Sequence, residues 1–286
     1  MKAYSFLNIQ VVENNDFVIR DVHFTKDLFI PDHYLARCRV RKLNAEPFIL
    51  SPGKVFIDIE HPLGNQSLRD HFVRQYVHKG ATLLITQFQI RRQLTWKSEF
   101  QRYVTSLKGL AIDYMVAPKI DIKYLSNDMI RYFGLQKVPF IIVELTDAKD
   151  VSKLKFGWIK QMQVMTKIPL AVMENKNGKL LYQMFKQNDI LICDQRITKK
   201  PLRRDVLIQT GISPKKGEIR IYGDSDFNLY LQKDIFKNHL SLQSLLEGEA
   251  NPYISVIRGK VIKLNKTILD QRGFGEQNQI SIQNHF

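Results

Sequence analysis

Imidazole is missing from the middle of this chain: of seven histidines in 286 residues, none lies between His78 and His239. A metal site built from several elements there has no histidine to draw on. The two cysteines, Cys38 and Cys193, form neither a CxxC pair nor a disulfide framework, so a reducing cytosol is the simpler setting. Only 14 glycines and 10 prolines are present, too few for long disordered linkers. No uninterrupted apolar run approaches the ~20 residues that span a bilayer. Met1–Asn8 leads into polar and acidic residues rather than the apolar stretch of a signal peptide. A cytoplasmic protein with no membrane partner is expected. P-loop, GxGxxG, GxSxG and HExxH strings are all absent, which removes the commonest local warrants for nucleotide, dinucleotide, serine-hydrolase and zincin chemistry.

What the chain has in excess is positive charge. Lysine and arginine number 43 against 28 aspartates and glutamates, a formal net charge of +15. Such a surface draws anions: nucleic acid, acidic proteins or phosphorylated metabolites. Basic clusters stand at Arg37/Arg39/Arg41/Lys42, Arg91/Arg92, Lys199/Lys200/Arg203/Arg204 and Lys215/Lys216. They are scattered and carry no RNP, KH, zinc-finger or helix-turn-helix pattern. A diffusely basic, solvated surface is therefore the preferred reading over a dedicated nucleic-acid site.

The hydrophobic pattern divides the chain in three. Residues 1–50 read as short strands, Phe17–Phe24 and His33–Val40 among them, set off by turn residues such as Pro31-Asp32. From 51 to 199 apolar strands alternate with amphipathic helices, the pattern of a parallel sheet with crossover helices. Strands are expected at Val55–Glu60, Ala81–Thr86, Leu110–Ala117, Phe140–Leu145, Ile168–Met173 and Asp189–Asp194. Helices are expected at 67–77, 98–107, 126–133 and 153–165, with a short crossover at 180–186. Beyond 200 the alternation stops. Gly217–Leu231 reads as strand, polar turn and strand, and Ile254–Leu264 as a hairpin turning at Arg258-Gly259.

Three strings carry a family resemblance. Pro52-Gly53-Lys54-Val55-Phe56-Ile57-Asp58-Ile59-Glu60-His61-Pro62 resembles the first barrel strand of the amidohydrolase superfamily, PGFIDxHxH, in its dihydroorotase and hydantoinase branch. Lys216-Gly217-Glu218-Ile219 through Gly223-Asp224-Ser225-Asp226-Phe227-Asn228-Leu229 is similar to its KGxIxxGxDADLVL string. Val256–Ile262 is similar to its closing VRGKVV hairpin. The resemblance implies an α/β fold: a shortened or distorted TIM-like (β/α) barrel over 51–199. A composite β-sandwich from 1–50 and 200–286 would accompany it.

The departures bear on chemistry. The family's first strand supplies two histidines one residue apart, so that both imidazoles point the same way. Here those places hold Glu60 and Pro62, with His61 between them. Ile112 stands where the family's often carbamylated lysine is compared, and the strand ends at Glu144 and Glu174 lack the family's later histidines. Asp194 falls where the last barrel strand places a metal-binding, proton-moving aspartate. The preferred reading is an amidohydrolase-like protein that has lost its metal centre and catalysis, with no cofactor expected. It would serve as a scaffold for a small anionic metabolite or a protein partner. The first alternative is an active hydrolase of a cyclic amide or other non-peptide C–N bond. It would hold one divalent zinc, iron or manganese ion on Glu60, His61 and Asp194, with Asp194 catalytic. The second alternative is a nucleic-acid or anionic-surface binder. Glu144 and Glu174 are a further candidate acid/base couple; Asp58 and Asp113 sit within expected strands, Asp58 either pointing inward as a hydrogen-bonding residue or capping a neighbouring loop. Homo-oligomers are a family expectation.

Overall fold

The computed structural model describes residues 1–14, 16–147, 155–269 and 272–280. The chain opens with β1 (Lys2–Glu13) and β2 (Asp16–Phe24), an antiparallel pair, followed by β3 (Arg39–Leu43) and β4 (Phe48–Pro52), both parallel to β1. The parallel sheet follows: β5 (Lys54–Ile57), β6 (Ala81–Gln89), β7 (Asp113–Asp121), β8 (Ile141–Glu144) and β9 (Leu170–Val172), hydrogen-bonded in chain order. Helices α1 (Arg69–His78), α2 (Trp96–Ser106), α3 (Asn127–Leu135), α4 (Gly157–Thr166) and α5 (Lys176–Gln187) intervene or follow. After α6 (Arg204–Gln209) the chain returns to the first sheet through β10 (Phe227–Leu231), then β11 (Ile254–Ile257), β12 (Lys260–Leu264) and β13 (Thr267–Ile268). That sheet has the order β13-β12-β11-β10-β4-β1-β2, with β3 also beside β1, so strands from both ends of the chain share it.

The parallel strands are nearly continuous apolar runs because both faces are covered. Alternate residues divide between two cores. Phe56, Leu84, Tyr114, Val116, Ile141 and Val143 pack toward the helices. Val55, Ile57, Leu83, Ile85, Met115 and Ile142 face the other way, under Cys193, Ile197, Leu202 and residues of α6. The sheet is therefore a curled half-barrel filled by its own side chains. Residues 191–202 run from its last strand to its first. Cys193 N–H donates to Leu170 O (2.8 Å), Ile197 N–H to Val172 O (2.8 Å) and Leu202 N–H to Val55 O (2.8 Å).

Several expectations need correction. The sixth strand, Asp189–Asp194, is reduced to isolated bridges such as Leu170 with Ile192, since Asp189 sits at φ 53° and the chain bends again at Asp194. The third strand starts at Asp113 and runs to Asp121, so Ile112 lies before it rather than within it. Pro118 does not stop it, because pairing with β8 begins only at Lys119. His33–Arg37 belongs to a 3-10 helix, Asp32–Arg37, that Pro31 introduces. Ile219–Tyr222 is not a strand: Ile219 and Arg220 are irregular, a turn follows at Ile221 and Tyr222, and Gly217 and Tyr222 both take positive φ, at 78° and 68°. The hairpin at Arg258-Gly259 is as expected, with φ of 46° and 64° at its two turn residues. The expected helix over 153–165 begins at Gly157, its first two residues lying outside the described ones. The first sheet is, among the described residues, one hydrogen-bonded sheet of eight strands drawn from both ends of the chain.

Candidate functional site

In parallel α/β folds ligands meet the C-terminal ends of the strands. Here that edge carries Asp58, Gln87, Lys119, Asp121, Glu144 and Glu174. Asp58 follows β5 and is wholly buried. Its Oδ2 accepts from Thr86 Oγ1 (2.6 Å) and Leu63 N–H (2.9 Å). Its Oδ1 accepts from Gln87 N–H (2.9 Å) and Gln87 Nε2 (3.2 Å). Four donors use the capacity of a carboxylate, which leaves no lone pair for an ion. Burial raises the Asp58 pKa, against the pull of these donors. The Tyr103 hydroxyl continues the chain to Thr86 Oγ1 at 2.5 Å, and burial together with the Asp58 charge pushes its pKa up to about 12.

The residues singled out from sequence have other occupations. Glu60 is ion-paired with Lys79 Nζ at 2.8 Å, and that hydrogen bond holds its carboxyl below the ordinary value. The His61 ring stacks on Phe72, with centroids 5.3 Å apart, and its backbone N–H donates to the Tyr76 hydroxyl. Asp194 accepts from Lys186 Nζ at 2.7 Å, on the exposed side of the 191–202 segment. Glu144 pairs with Lys119 Nζ at 2.7 Å, and Glu174 pairs with Arg196 and lies 3.7 Å from Lys179 Nζ. Among the described residues, Glu60, His61 and Asp194 do not form a set whose ligand atoms all approach within 4.8 Å. Beside Glu144 a pocket of about 350 Å³ opens between the ends of β8 and β9, lined by Thr146, Met173, Asn175, Lys176 and Asn177. Asn175 caps α5 there, its Oδ1 accepting from Gly178 N–H at 2.7 Å.

One set of described residues does meet that spacing: Asp113, Asp224 and Asp226, all buried. It lies at the other end of the half-barrel, where the N-terminal end of β7 meets the approach to β10. Its centre holds a side chain of the chain itself. Lys216 Nζ is 2.6 Å from Asp113 Oδ2, 2.8 Å from Asp224 Oδ2 and 2.7 Å from Asp226 Oδ2, with no exposure to solvent. Arg258 adds a guanidinium 3.1 Å from Asp113 Oδ1, and its backbone N–H donates to Asp226 Oδ1. Burial disfavours the Lys216 ammonium, but Asp226, Asp113 and Asp224 outweigh it and raise its pKa above the ordinary value. Three buried carboxylates face two cations, one of which, Arg258, also pairs with Glu276, so negative charge is in surplus; burial raises the Asp226 pKa despite Lys216. The donor set is one that holds a hard cation, and an ammonium takes that place.

Solved structures similar over nearly the whole chain fit this arrangement. An L-hydantoinase (dihydropyrimidinase) from Arthrobacter aurescens matches with a TM-score of 0.62 at 11% identity, covering 98% of this chain and 100% of that one. A D-hydantoinase (dihydropyrimidinase) from Thermus sp. matches with a TM-score of 0.58 at 12% identity, covering 97% and 99%. The chain has the hydantoinase-like amidohydrolase fold. A triazine hydrolase from Arthrobacter aurescens shares it, with a TM-score of 0.58 at 8% identity over 94% of this chain and 96% of that one. No protein-family model and no curated protein matches the sequence.

The metal centre associated with this fold does not fit the groups at the strand ends, because those acids are saturated or ion-paired within the chain. The strings that suggested the fold include Lys216, Asp224 and Asp226, yet their charge cluster was not anticipated. The sequence groups Lys216 with Lys215 as surface charge, but Lys216 is fully buried. The available signal is local: Lys216, Asp224 and Asp226 fall in one short string, an ammonium and two carboxylates that a tight turn brings together. Among the described residues no helix is long and apolar enough to cross a membrane.

Proposed function

We propose that this protein is a non-catalytic scaffold on a shortened hydantoinase-like barrel. Its former catalytic edge is held by internal ion pairs, and the pocket beside Glu144 and Asn175 receives a small anionic metabolite. The observation that carries the reading is the commitment of the edge acids. Asp58 takes four donors, and Glu60, Glu144, Glu174 and Asp194 each face a lysine or arginine of the same chain. Lysine and arginine thus neutralise carboxylates that in a metal hydrolase would face an ion, which is one use of the +15 excess. Lys176 and the N-terminal amides of α5 give the pocket its preference for anions.

The test is incubation of the protein with zinc, manganese or iron(II) and cyclic amides of the hydantoin and dihydropyrimidine type, with ring opening followed by chromatography. Turnover no greater than in protein-free controls is expected. Ring opening that scales with protein and is lost in Asp194→Asn would instead support an active site on Glu60, His61 and Asp194.

A further inference from the structure

The basic run Arg37, Arg39, Arg41 and Lys42 stands apart from both the catalytic edge and the buried charge cluster. It begins in the 3-10 helix Asp32–Arg37 and continues through β3, whose first four residues are exposed. Tyr34 and Arg37 are three residues apart, one turn of a 3-10 helix, so they share a side. The Tyr34 ring lies 5.1 Å from His33 and 6.5 Å from Tyr222, centroid to centroid. Tyr222 is 60% exposed although its backbone takes a φ of 68°, a conformation unfavourable for a bulky residue. The turn that carries it is fixed: Tyr222 N–H donates to Phe29 O (2.9 Å) and Gly223 N–H to Arg220 O (2.8 Å). The fold therefore holds an aromatic ring outward at a conformational cost, two residues after the exposed Arg220 and within ring contact of Tyr34, one 3-10 turn before the exposed Arg37.

The cations here differ from those at the strand ends. Lys79, Lys119, Lys186 and Arg196 each take a carboxylate of the chain. Among the described residues, no ion pair is formed by Arg37, Arg39, Arg41, Lys42 or Arg220. Asp32, at the start of the same helix, is turned to His23 Nε2 at 3.2 Å. Pairing along the β1–β3 ladder sets Lys2 beside Arg39, which adds a further positive charge. Exposed rings flanked by unshared guanidiniums match the chemistry of an unpaired base and its phosphate: bases stack on rings, and phosphates take the charge. A duplex offers no free base faces to the rings, and no helix of this ledge is long enough to enter a groove.

We propose that this ledge binds single-stranded nucleic acid, with bases stacked on Tyr34 and Tyr222 and phosphates on Arg37, Arg220 and the two arginines Arg39 and Arg41 that share one face of β3. The test is fluorescence anisotropy of labelled oligo(U) and oligo(dT), each about 15 nucleotides long, titrated with the full chain at several salt concentrations. Four phosphate contacts predict a slope of log affinity against log salt of about −2.8, at about −0.7 per contact for single strands. Tyr34→Ala and Tyr222→Ala should each weaken binding by about ten-fold, whereas Tyr222→Phe keeps it. The paired change Arg37→Ala and Arg41→Ala should flatten the salt slope, and Arg91→Ala with Arg92→Ala should leave it unchanged. These side chains are on the surface, so the folded state is retained and circular dichroism verifies it. The proposal is overturned by no binding at low salt, by alanine variants of both tyrosines that bind like the parent, or by poly-glutamate displacing the oligonucleotide at equal charge. That last outcome would assign the ledge to an acidic protein.

Discussion

Replacing Lys216 with methionine removes one positive charge from a site where three carboxylates stand 2.6–2.8 Å from it. The methionine fills the volume, so the loss is electrostatic. Only Arg258 then remains against Asp113, Asp224 and Asp226, and none of the three acids has solvent to turn to. Breaking a buried pair by deleting one partner costs about 3–5 kcal/mol. For a chain of this size that is a fall in Tm of roughly 6–20 °C. Urea denaturation followed by circular dichroism measures it directly. Adding Asp226→Asn to Lys216→Met should recover part of the loss, because the surplus charge is then smaller and the two changes are not additive. Lys216→Ala adds a second readout, since it leaves space among three carboxylates. Manganese or calcium at 100 times its dissociation constant should restore about 2.7 kcal/mol to this variant and nothing to the parent. A Lys216→Met protein within about 0.5 kcal/mol of the parent would refute the role given to this charge.

Two further outcomes follow from buried cations and a crowded turn. Lys54 and Lys263 lie between the sheets against the carbonyls of Ala250 and Pro252, and burial lowers their pKa values to about 7 and about 8. The unfolded chain then binds protons that the folded one has released, so stability climbs as pH rises from about 7 toward 10.5, the ordinary lysine value. Lys54→Met should flatten that rise and stabilise the protein at neutral pH by about 1–4 kcal/mol, read from urea midpoints across pH; an unchanged slope would contradict it. Gly217→Ala should destabilise by more than about 1 kcal/mol, because its φ is 78° and Leu207 occupies the space of the new methyl group; a neutral thermal shift would count against this packing.

The fold was largely legible because its signals are local. Ile141-Ile142-Val143 and Leu83-Leu84-Ile85 are apolar runs that only a two-faced strand explains, and Arg258-Gly259 supplies the positive φ of a tight hairpin. The extent of β7 was not legible, since Pro118 reads as a strand end unless the strand pairing with it is known to begin one residue later. The bridging segment at 191–202 escaped because it makes isolated backbone contacts rather than a ladder. At the candidate site, the absence of middle histidines was visible, as was the acidic character of the strand ends. The cations that answer those acids were not: Lys119 is 25 residues from Glu144, and Lys216 is 103 residues from Asp113. Periodicity reports which face a residue takes, but not which distant charge it meets.

Under the proposed function, the strand-end acids pair with the chain's own lysines and arginines in place of a metal ion. Elemental analysis of the full chain, purified without chelators and then saturated with zinc, manganese or iron before desalting, tests it most directly. Retained metal far below one ion per chain and a Tm indifferent to EDTA are expected. One tightly held ion per chain, lost together with several degrees of Tm on chelation, would contradict it.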